Sequence, residues 1–375
     1  MSSNGKSISS RTWMSWPMTC THVPIRPDRP SAFVIDYPKK REVFAALFRD
    51  RIVHHLYFNY THTLFERTFI QDSYSCIKGR GTHYGIQRLA MHIRQESQNW
   101  SVPCYAMNLD IRGYFMHIQR DRLLRIATDT IHKMAGHRIS RYSPETWADH
   151  VDIDFICWLT EQIVMLDPKT SCEVIGFKED WIGMDPSKSL FHTPDGCGLP
   201  IGNLTSQLFS NVYLNEFDQF MKRTLGARHY GRYVDDSYVI SSDRDWLLSI
   251  VPEIRRFLEN HLGLELHMGK LHVRDIREGV EFLGAFVKPW RIYVSNKTLQ
   301  RMRKNLCALD LRDHVHVSNS INSYLGVLSH HATYNLRRSL FLDKPFTRLL
   351  EYDSDILKSK PIPGRNAIID NHLNN

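Results

Sequence analysis

The sequence predicts an α+β fold, because strand-like and helix-like apolar patterns both occur and the C-terminal part reads as helical. Apolar residues at three- and four-residue steps predict helices, and these cover 43–64, 120–134 and 205–222. Short apolar runs predict strands at 32–35 and 105–110 and a hairpin at 232–241. The chain has 375 residues, 42% hydrophobic and 23% charged, which suits a globular protein of two or three subdomains.

The remaining elements follow from local signals along the chain. Four prolines within the first 30 residues predict an irregular arm. Residues 167–198, rich in Asp, Pro, Gly and Ser, predict a long connection. An amphipathic helix at 246–258 should be interrupted at Pro252 and closed by Gly263. Strands are expected at 281–287 and 291–294, and an all-helical tail after Thr298.

Composition limits the classes of function. The formal charge of +8 and pI near 9.1 are compatible with a polyanionic partner. No apolar run approaches the roughly 20 residues that cross a bilayer, so no membrane association is expected. The N-terminus is polar and lacks a secretion signal, which favours the cytoplasm. The seven cysteines are scattered and never form C-x-x-C, which argues against a disulfide framework or a zinc site.

Paired acids give the sharpest chemical signal. Tyr233-Val234-Asp235-Asp236 lies between two apolar stretches, and the adjacent carboxylates there repel each other unless cations compensate them. Asp110 ends an earlier apolar strand. Two-metal phosphoryl transfer needs carboxylates on neighbouring strands. Taken alone, Asp235 and Asp236 could equally occupy a solvated β-turn.

A glycine-containing loop lies between the two acidic segments. It runs Gly198-Leu199-Pro200-Ile201-Gly202-Asn203-Leu204-Thr205-Ser206-Gln207. Gly202 allows a close backbone approach to a ligand, and Thr205 and Ser206 are candidate caps of the following helix. An ordinary loop entering a helix would look the same.

These three segments, in this order, resemble the palm motifs of reverse transcriptases, and the resemblance covers roughly residues 35 to 340. The stretches 48–55 and 73–83 resemble fingers motifs of that family. Leu264-Glu265-Leu266-His267 with Lys270 resembles its triphosphate-proximal motif, and Phe282-Leu283-Gly284-Ala285 resembles its primer grip.

The resemblance implies a right-hand polymerase fold. The implied division is an arm at 1–31, fingers at 32–104, a palm at 105–287 and a basic helical thumb with tail at 288–375. The palm would be an antiparallel sheet with packed helices, carrying an insertion at about 165–198.

The resemblance also implies roles for individual residues. Catalysis and metal binding fall to Asp110, Asp235 and Asp236, with the Ile111 carbonyl assisting two Mg²⁺ ions that Mn²⁺ could replace. Deoxynucleotide contacts fall to Lys40, Arg41, Arg112, Phe115, Ile201, Gly202, Gln207 and Lys270, with Phe115 as the steric gate against a 2′-hydroxyl. Template–primer contacts fall to Tyr233, Phe282, Leu283, Gly284, Lys288, Arg291, Lys297, Arg301, Arg303 and Lys304.

If the resemblance is set aside, several of these residues have simpler structural interpretations. Lys40 and Arg41 would be a solvated pair, Lys270 a surface lysine and Phe115 a core side chain. The cations at 288–304 could form a solvated helix face, although no acid interrupts them between Phe286 and Ala308.

Two positions depart from the commoner reverse-transcriptase pattern, which has Gln before the glycine of the loop and ends in Ser-Pro. Here Ile201 and Gln207 stand there, and the run 198–215 resembles the enzymes of bacterial and phage diversity-generating retroelements. That resemblance implies copying of a template-repeat RNA into cDNA with errors opposite adenine. The implied partners are the RNA template, the cDNA or primer, deoxynucleoside triphosphates and a small basic oligomeric accessory protein.

Other functions remain open. A retron or antiviral-defence enzyme making a different cDNA would share the palm, as group II intron enzymes do. A catalytically silent RNA-binding scaffold is disfavoured by the three intact acids.

Overall fold

The computed structural model describes residues 27–36, 39–342 and 349–362. Its strands are β1 (Ser31–Ile35), β2 (Arg41–Ala45), β3 (Tyr105–Leu109), β4 (Glu173–Val174), β5 (His229–Tyr233), β6 (Asp236–Ser241), β7 (His272–Asp275), β8 (Val280–Phe282), β9 (Ala285–Lys288), β10 (Arg291–Val294), β11 (Leu350–Tyr352) and β12 (Ser359–Pro361). Its helices are α1 (Phe48–Glu66), α2 (Thr82–Glu96), α3 (Tyr114–His117), α4 (Arg120–Ala135), α5 (Trp147–His150), α6 (Ile153–Val164), α7 (Leu204–Gln219), α8 (Arg244–Ser249), α9 (Val251–Phe257), α10 (Asn296–Cys307), α11 (His314–Ser329) and α12 (Tyr334–Phe341). The predicted α+β class is confirmed.

The central sheet has four antiparallel strands in the order β5-β6-β3-β7. Strands β5 and β6 form the predicted hairpin, in which Tyr233 pairs with Asp236 and leaves Val234 and Asp235 as the turn. Strand β3 pairs with β6 so that Leu109 faces Ser237. The two acidic segments of the sequence therefore lie on neighbouring strands.

Both faces of this sheet are covered. Met107 and Leu109 of β3 belong to the larger core, which α1, α4, α6 and α7 complete. Ala106, pointing the opposite way, packs with Tyr238 in a second core beneath α2 and β8–β9. Because apolar residues fill both faces, polar side chains reach solvent mainly at the strand ends.

The segment before α1 differs from the sequence prediction. Val43 and Phe44 were expected to begin a helix, but they lie in β2, where Phe44 pairs with Ala32 of β1. The Phe44 amide also donates to the Ile201 carbonyl at 2.8 Å. A run this short fits either period, and pairing with distant backbone decides it in favour of a strand. Helix α1 starts only at Phe48.

The long connection at 167–198 is confirmed, and it is attached to β2 through one buried carboxylate. Glu42 accepts hydrogen bonds from Trp181 Nε1 at 2.7 Å, Ser189 Oγ at 2.8 Å and the Leu190 amide at 2.5 Å. Strand β4 of the connection pairs in parallel with β1.

Other local predictions hold with small changes. Helices α4 and α7 match the expected ranges, and α7 continues as a π-helical stretch at Phe220–Thr224. The predicted interruption at Pro252 separates α8 from α9, and Gly263 ends the following turn with φ of 61°. The expected strand at 281–287 is divided, because Leu283 and Gly284 turn the chain between β8 and β9.

The expectation of an all-helical tail is wrong. Helices α10, α11 and α12 pack around Met302, Ile321 and Leu325, but β11 and β12 add an antiparallel hairpin to that core. Strands of three residues carry too little periodicity to be read from sequence. None of the described helices has the length and apolarity needed to cross a lipid bilayer.

Candidate active site

Three aspartates meet at one end of the central sheet. Because Leu109 faces Ser237, the next pair in the antiparallel register is Asp110 and Asp236. Asp235 directly precedes Asp236 in the hairpin turn. Residues about 125 positions apart in sequence are thereby brought side by side.

The three carboxylates disturb one another electrostatically. Burial first, and then the charge of Asp110, raise the pKa of Asp235. Although the Asp236 side chain remains accessible to solvent, partial burial followed by repulsion from Asp235 and Asp110 raises its pKa to about 6. Lys270 and Lys39 act on both groups in the opposite direction. The negative charge of the three acids is therefore only partly compensated by these lysines.

The donor chemistry of this corner fits a hard divalent cation. Carboxylate and backbone carbonyl oxygens are the ligands that Mg²⁺ prefers, and a cation would relieve the repulsion that raises these pKa values. Across residues 27–36, 39–342 and 349–362, no three His, Cys, Asp or Glu side chains are already arranged to hold a metal ion. Lys270 Nζ lies 2.8 Å from Asp110 Oδ2, so a metal would compete with this lysine for the carboxylate.

The segment 265–267 positions Lys270. Its backbone runs antiparallel to residues 110–112, with His267 N donating to the Asp110 carbonyl at 2.8 Å and Arg112 N donating to the Glu265 carbonyl at 2.9 Å. The hydrogen bond to Asp110 raises the pKa of Lys270, which keeps it cationic. The side chain of Arg112 pairs with Glu265 at 3.3 Å on the exposed surface.

A buried ion pair supports the turn that carries Asp235, and the sequence analysis did not identify it. The guanidinium of Arg232 donates twice to Asp218, at 2.8 and 2.7 Å, and both side chains are buried. Its Nη1 also donates to the Val234 carbonyl at 2.9 Å. Val234 has φ of 56°, a left-handed conformation that a β-branched residue rarely adopts. Arg232 thus holds the strained turn that presents Asp235.

Local signals for this pair existed in the sequence. Arginine and aspartate are almost never fully buried unless they are paired. Arg232 lies in a predicted strand, and Asp218 lies 14 residues earlier on a predicted apolar helix. Both were therefore charged residues at positions expected to be buried, where each needs a partner of opposite charge.

Phe115 and Ile201 form an apolar wall. Both pack on the small core of Ala32, Phe44, Met116 and Leu190. The Leu199 amide donates to the Phe115 carbonyl at 2.9 Å, which fixes the glycine-containing loop beside Phe115.

Gly202 was expected to allow close approach of a ligand, but in the structure it lies against the backbone of β2. Its φ is 132°, and a Cβ there would lie 2.9 Å from the Phe44 carbonyl oxygen, so the close approach is to β2. Nor do Thr205 and Ser206 cap α7, which begins at Leu204 after Asn203. Thr205 Oγ1 instead lies 2.8 Å from His54 Nδ1.

Among the basic residues at 39–41, Lys39 is the one that acts on the acids. Lys40 Nζ donates to the Ile182 carbonyl at 2.8 Å and lies 3.6 Å from Asp36, so it is directed to the long connection. Arg41 is exposed at the start of β2. Gln207 is exposed and accepts a hydrogen bond from Cys76 Sγ at 3.3 Å.

The predicted template–primer residues fall into two groups. In the first group, Tyr233 pairs with Asp236 and is half-buried, Phe282 is buried, and the Gly284 carbonyl at the β8–β9 turn accepts the Ser295 amide at 2.9 Å. The cations lie further out on exposed positions. They are Lys288 and Arg291 at the β9–β10 turn, and Lys297, Arg301, Arg303 and Lys304 on α10.

The α10 cations form a surface row. Lys297, Arg301 and Lys304 are spaced four and three residues apart and so share one face of the helix. Met302 and Leu306 point into the core on another face.

Comparison with known proteins gives the family. Residues 47–287, more than half of the chain, match the family described as reverse transcriptase (RNA-dependent DNA polymerase). No curated protein matches the chain.

Solved structures of telomerase are similar in fold. Telomerase from Candida albicans, in complex with a TWJ fragment of telomeric RNA, superposes with a TM-score of 0.53 at 11% identity, covering 86% of this chain and 56% of that one. Apo telomerase from Candida tropicalis gives 0.49 at 9% identity, covering 85% and 58%. The chain thus spans little more than half the length of these telomerases. The first likeness shows the right-hand polymerase fold, and the match over residues 47–287 shows that the chain belongs to the reverse transcriptase family.

Proposed function

We propose that the chain is an RNA-directed DNA polymerase. A primer 3′-hydroxyl would attack the α-phosphate of a deoxynucleoside triphosphate, and pyrophosphate would leave. The observation that carries this proposal is the register that sets Asp110 opposite Asp236, with Asp235 beside them in the turn.

Asp110, Asp235, Asp236 and the Ile111 carbonyl would hold two Mg²⁺ ions, for which Mn²⁺ could substitute. Such cations supply positive charge to the oxygens of the transferring phosphoryl group. Lys270 is held at the site by its contact with Asp110, and Lys39 acts on the same acids, so both suit the triphosphate. Phe115, in the wall beside the loop, would exclude a 2′-hydroxyl.

The finer proposal is error-prone copying of a template-repeat RNA for diversification of a target gene. It rests on the resemblance of residues 198–215, and Ile201 supplies a physical reason. This side chain packs with the apolar wall and offers no hydrogen bond to a nascent base pair. A small basic oligomeric accessory protein and a bacterial cytoplasm belong to the same proposal.

Primer extension on a defined RNA tests the polymerase proposal. Asp235→Asn should abolish extension by the purified full chain while RNA affinity changes less than about twofold, because the acid acts on the reaction centre. Asp243→Asn is the matched control, since Asp243 accepts the Trp246 amide as a helix cap on another element. Near-normal extension by Asp235→Asn would refute the assignment.

Sequencing the cDNA tests the finer proposal. Errors concentrated opposite template adenine would support it, and an even distribution over the four bases would refute it. In that case a retron or defence role becomes the better candidate.

A further inference from the structure

A second basic and aromatic site lies outside the catalytic corner. A groove of about 270 Å³ opens between the C-terminal half of α2, the β9–β10 turn and the loop after α11. Its lining includes Arg94, Trp100, Lys288, Trp290 and Arg291, and no acidic side chain lines it. The groove therefore combines aromatic surface with uncompensated positive charge.

Both tryptophans of this groove have a strained backbone. Trp290 has φ of 65° and Trp100 has φ of 69°. Since Arg291 pairs with Lys288, Pro289 and Trp290 form a two-residue turn, and positive φ at the second turn position normally selects glycine. A bulky residue there is a genuine conformational outlier. Folding alone would favour glycine at position 290.

Positive φ at non-glycine residues occurs at other turns of the molecule as well, including Gln98, Asn99 and Ile356. Val234 at the catalytic turn and Leu283 at the β8–β9 turn are also non-glycine residues with positive φ, at 56° and 51°. Such residues persist where the surrounding structure enforces them, and they cluster at binding and catalytic sites. The strain at the two tryptophans agrees with a binding site, and the exposed ring and the charge of the groove carry the inference.

The groove also presents free surface to a ligand. The Trp290 side chain is 67% exposed, a large apolar area between two exposed cations. An exposed aromatic face and three cations together match a base and its phosphates.

This groove is distinct from the catalytic corner. Strand β9 separates the β9–β10 turn from the Leu283–Gly284 turn, and its four residues span roughly 13 Å. None of the residues proposed to hold metal or triphosphate lines it.

We propose that this groove binds single-stranded nucleic acid. A base stacks on Trp290, and Arg94, Lys288 and Arg291 contact phosphates of the strand. The inference deepens the proposed polymerase function and assigns Lys288 and Arg291 to an unpaired strand outside the active site. The strand could be template RNA or product DNA.

Trp290→Gly tests the stacking platform. Glycine suits the left-handed turn, so the variant should unfold at the same or a higher temperature than the natural protein. Its affinity for a fluorescent 12-nucleotide oligouridine, measured by anisotropy with the full chain, should fall about tenfold. Tyr142→Ala, which removes an exposed aromatic ring stacked with Arg141 elsewhere, should leave that affinity unchanged.

Salt dependence tests the phosphate contacts. Arg94→Ala should reduce the slope of log affinity against log salt concentration by about 0.7, the value for one phosphate contact with a single strand. A 5-iodouridine oligomer should crosslink to residues 288–291, as read by mass spectrometry.

Comparing oligouridine with oligodeoxyuridine identifies the strand. Preference for RNA would indicate the template and preference for DNA the product, and either supports the site. Unchanged affinity of Trp290→Gly for both oligomers would overturn it. Primer extension by the natural protein, measured in parallel, reports the polymerase proposal separately.

Discussion

Two groups of acids in the palm differ in how their negative charge is compensated. Asp218 is fully buried, and it accepts hydrogen bonds from Arg232 and from the Tyr230 hydroxyl at 2.7 Å. Asp235 and Asp236 lie at the end of the same hairpin, where repulsion and partial burial raise both pKa values. The charge of Asp218 is compensated by side chains of the protein, whereas the charge of Asp235 and Asp236 is available to a bound cation.

This difference distinguishes residues that stabilise the palm from residues that we propose act in the reaction. A buried charge without its partner is costly, so Asp218 and Arg232 must be paired within the fold. Acids kept close and uncompensated cost stability, and they persist when a cation is to be bound. Val234 links the two groups, because its carbonyl is held by Arg232 and its neighbour is Asp235.

Removing an uncompensated acid should have the largest effect. We expect Asp236→Asn to lower the primer-extension rate on the order of 10³-fold or more, since it withdraws charge from the reaction centre. Thermal unfolding should occur at the same or a higher temperature, because a repulsive charge is removed. Magnesium should raise the unfolding temperature of the natural protein more than that of the variant. A clear loss of stability in Asp236→Asn would show that this acid stabilises the fold, contrary to the comparison with Asp218.

Breaking the compensated pair should mainly affect stability. Asp218→Asn leaves Arg232 buried beside a neutral amide, and we expect the free energy of unfolding to fall by about 3–5 kcal/mol in urea titrations. Glu259→Gln is a suitable control, because it breaks a 2.7 Å ion pair with Arg255 in which both side chains are exposed. A loss below about 1 kcal/mol in Asp218→Asn would show that the pair is not the anchor of the turn.

Lys270 is intermediate, since it compensates Asp110 from an exposed position. Lys270→Met should slow extension by about 10- to 100-fold and raise the KM for the nucleotide, as expected for loss of a charged hydrogen bond of about 1.5–3 kcal/mol. Lys133→Met, on the exposed face of α4, should have no effect. Unchanged KM would indicate that Lys270 only neutralises Asp110.

The smallest effect is expected at the apolar wall, where no charge needs compensation. Ile201→Gln should reduce misincorporation opposite template adenine roughly fivefold, because a new hydrogen bond contributes about 1 kcal/mol. Ile201→Val keeps the wall apolar and should keep the natural error rate. Equal error rates in the natural protein and both variants, measured by cDNA sequencing, would show that Ile201 does not influence fidelity.

The sequence by itself determined the local elements of the palm and the order of its motifs. Strand β3, the β5–β6 hairpin and α7 were predicted because period-two and period-3.6 patterns and turn residues are local properties. Asp110, Asp235 and Asp236 were singled out as acids at the ends of short apolar stretches, whereas Lys270 was singled out only through the resemblance to the reverse transcriptase family.

Only the tertiary structure decided which distant residues meet. It paired β3 with β6, drew residues 41–45 into a strand, turned Lys40 to the long connection while the charge of Lys39 acts on the acids, and joined Arg232 to Asp218. It also brought Trp100 and Trp290 into one groove. Such contacts depend on how layers pack over separations of tens to hundreds of residues, and no local pattern encodes that packing.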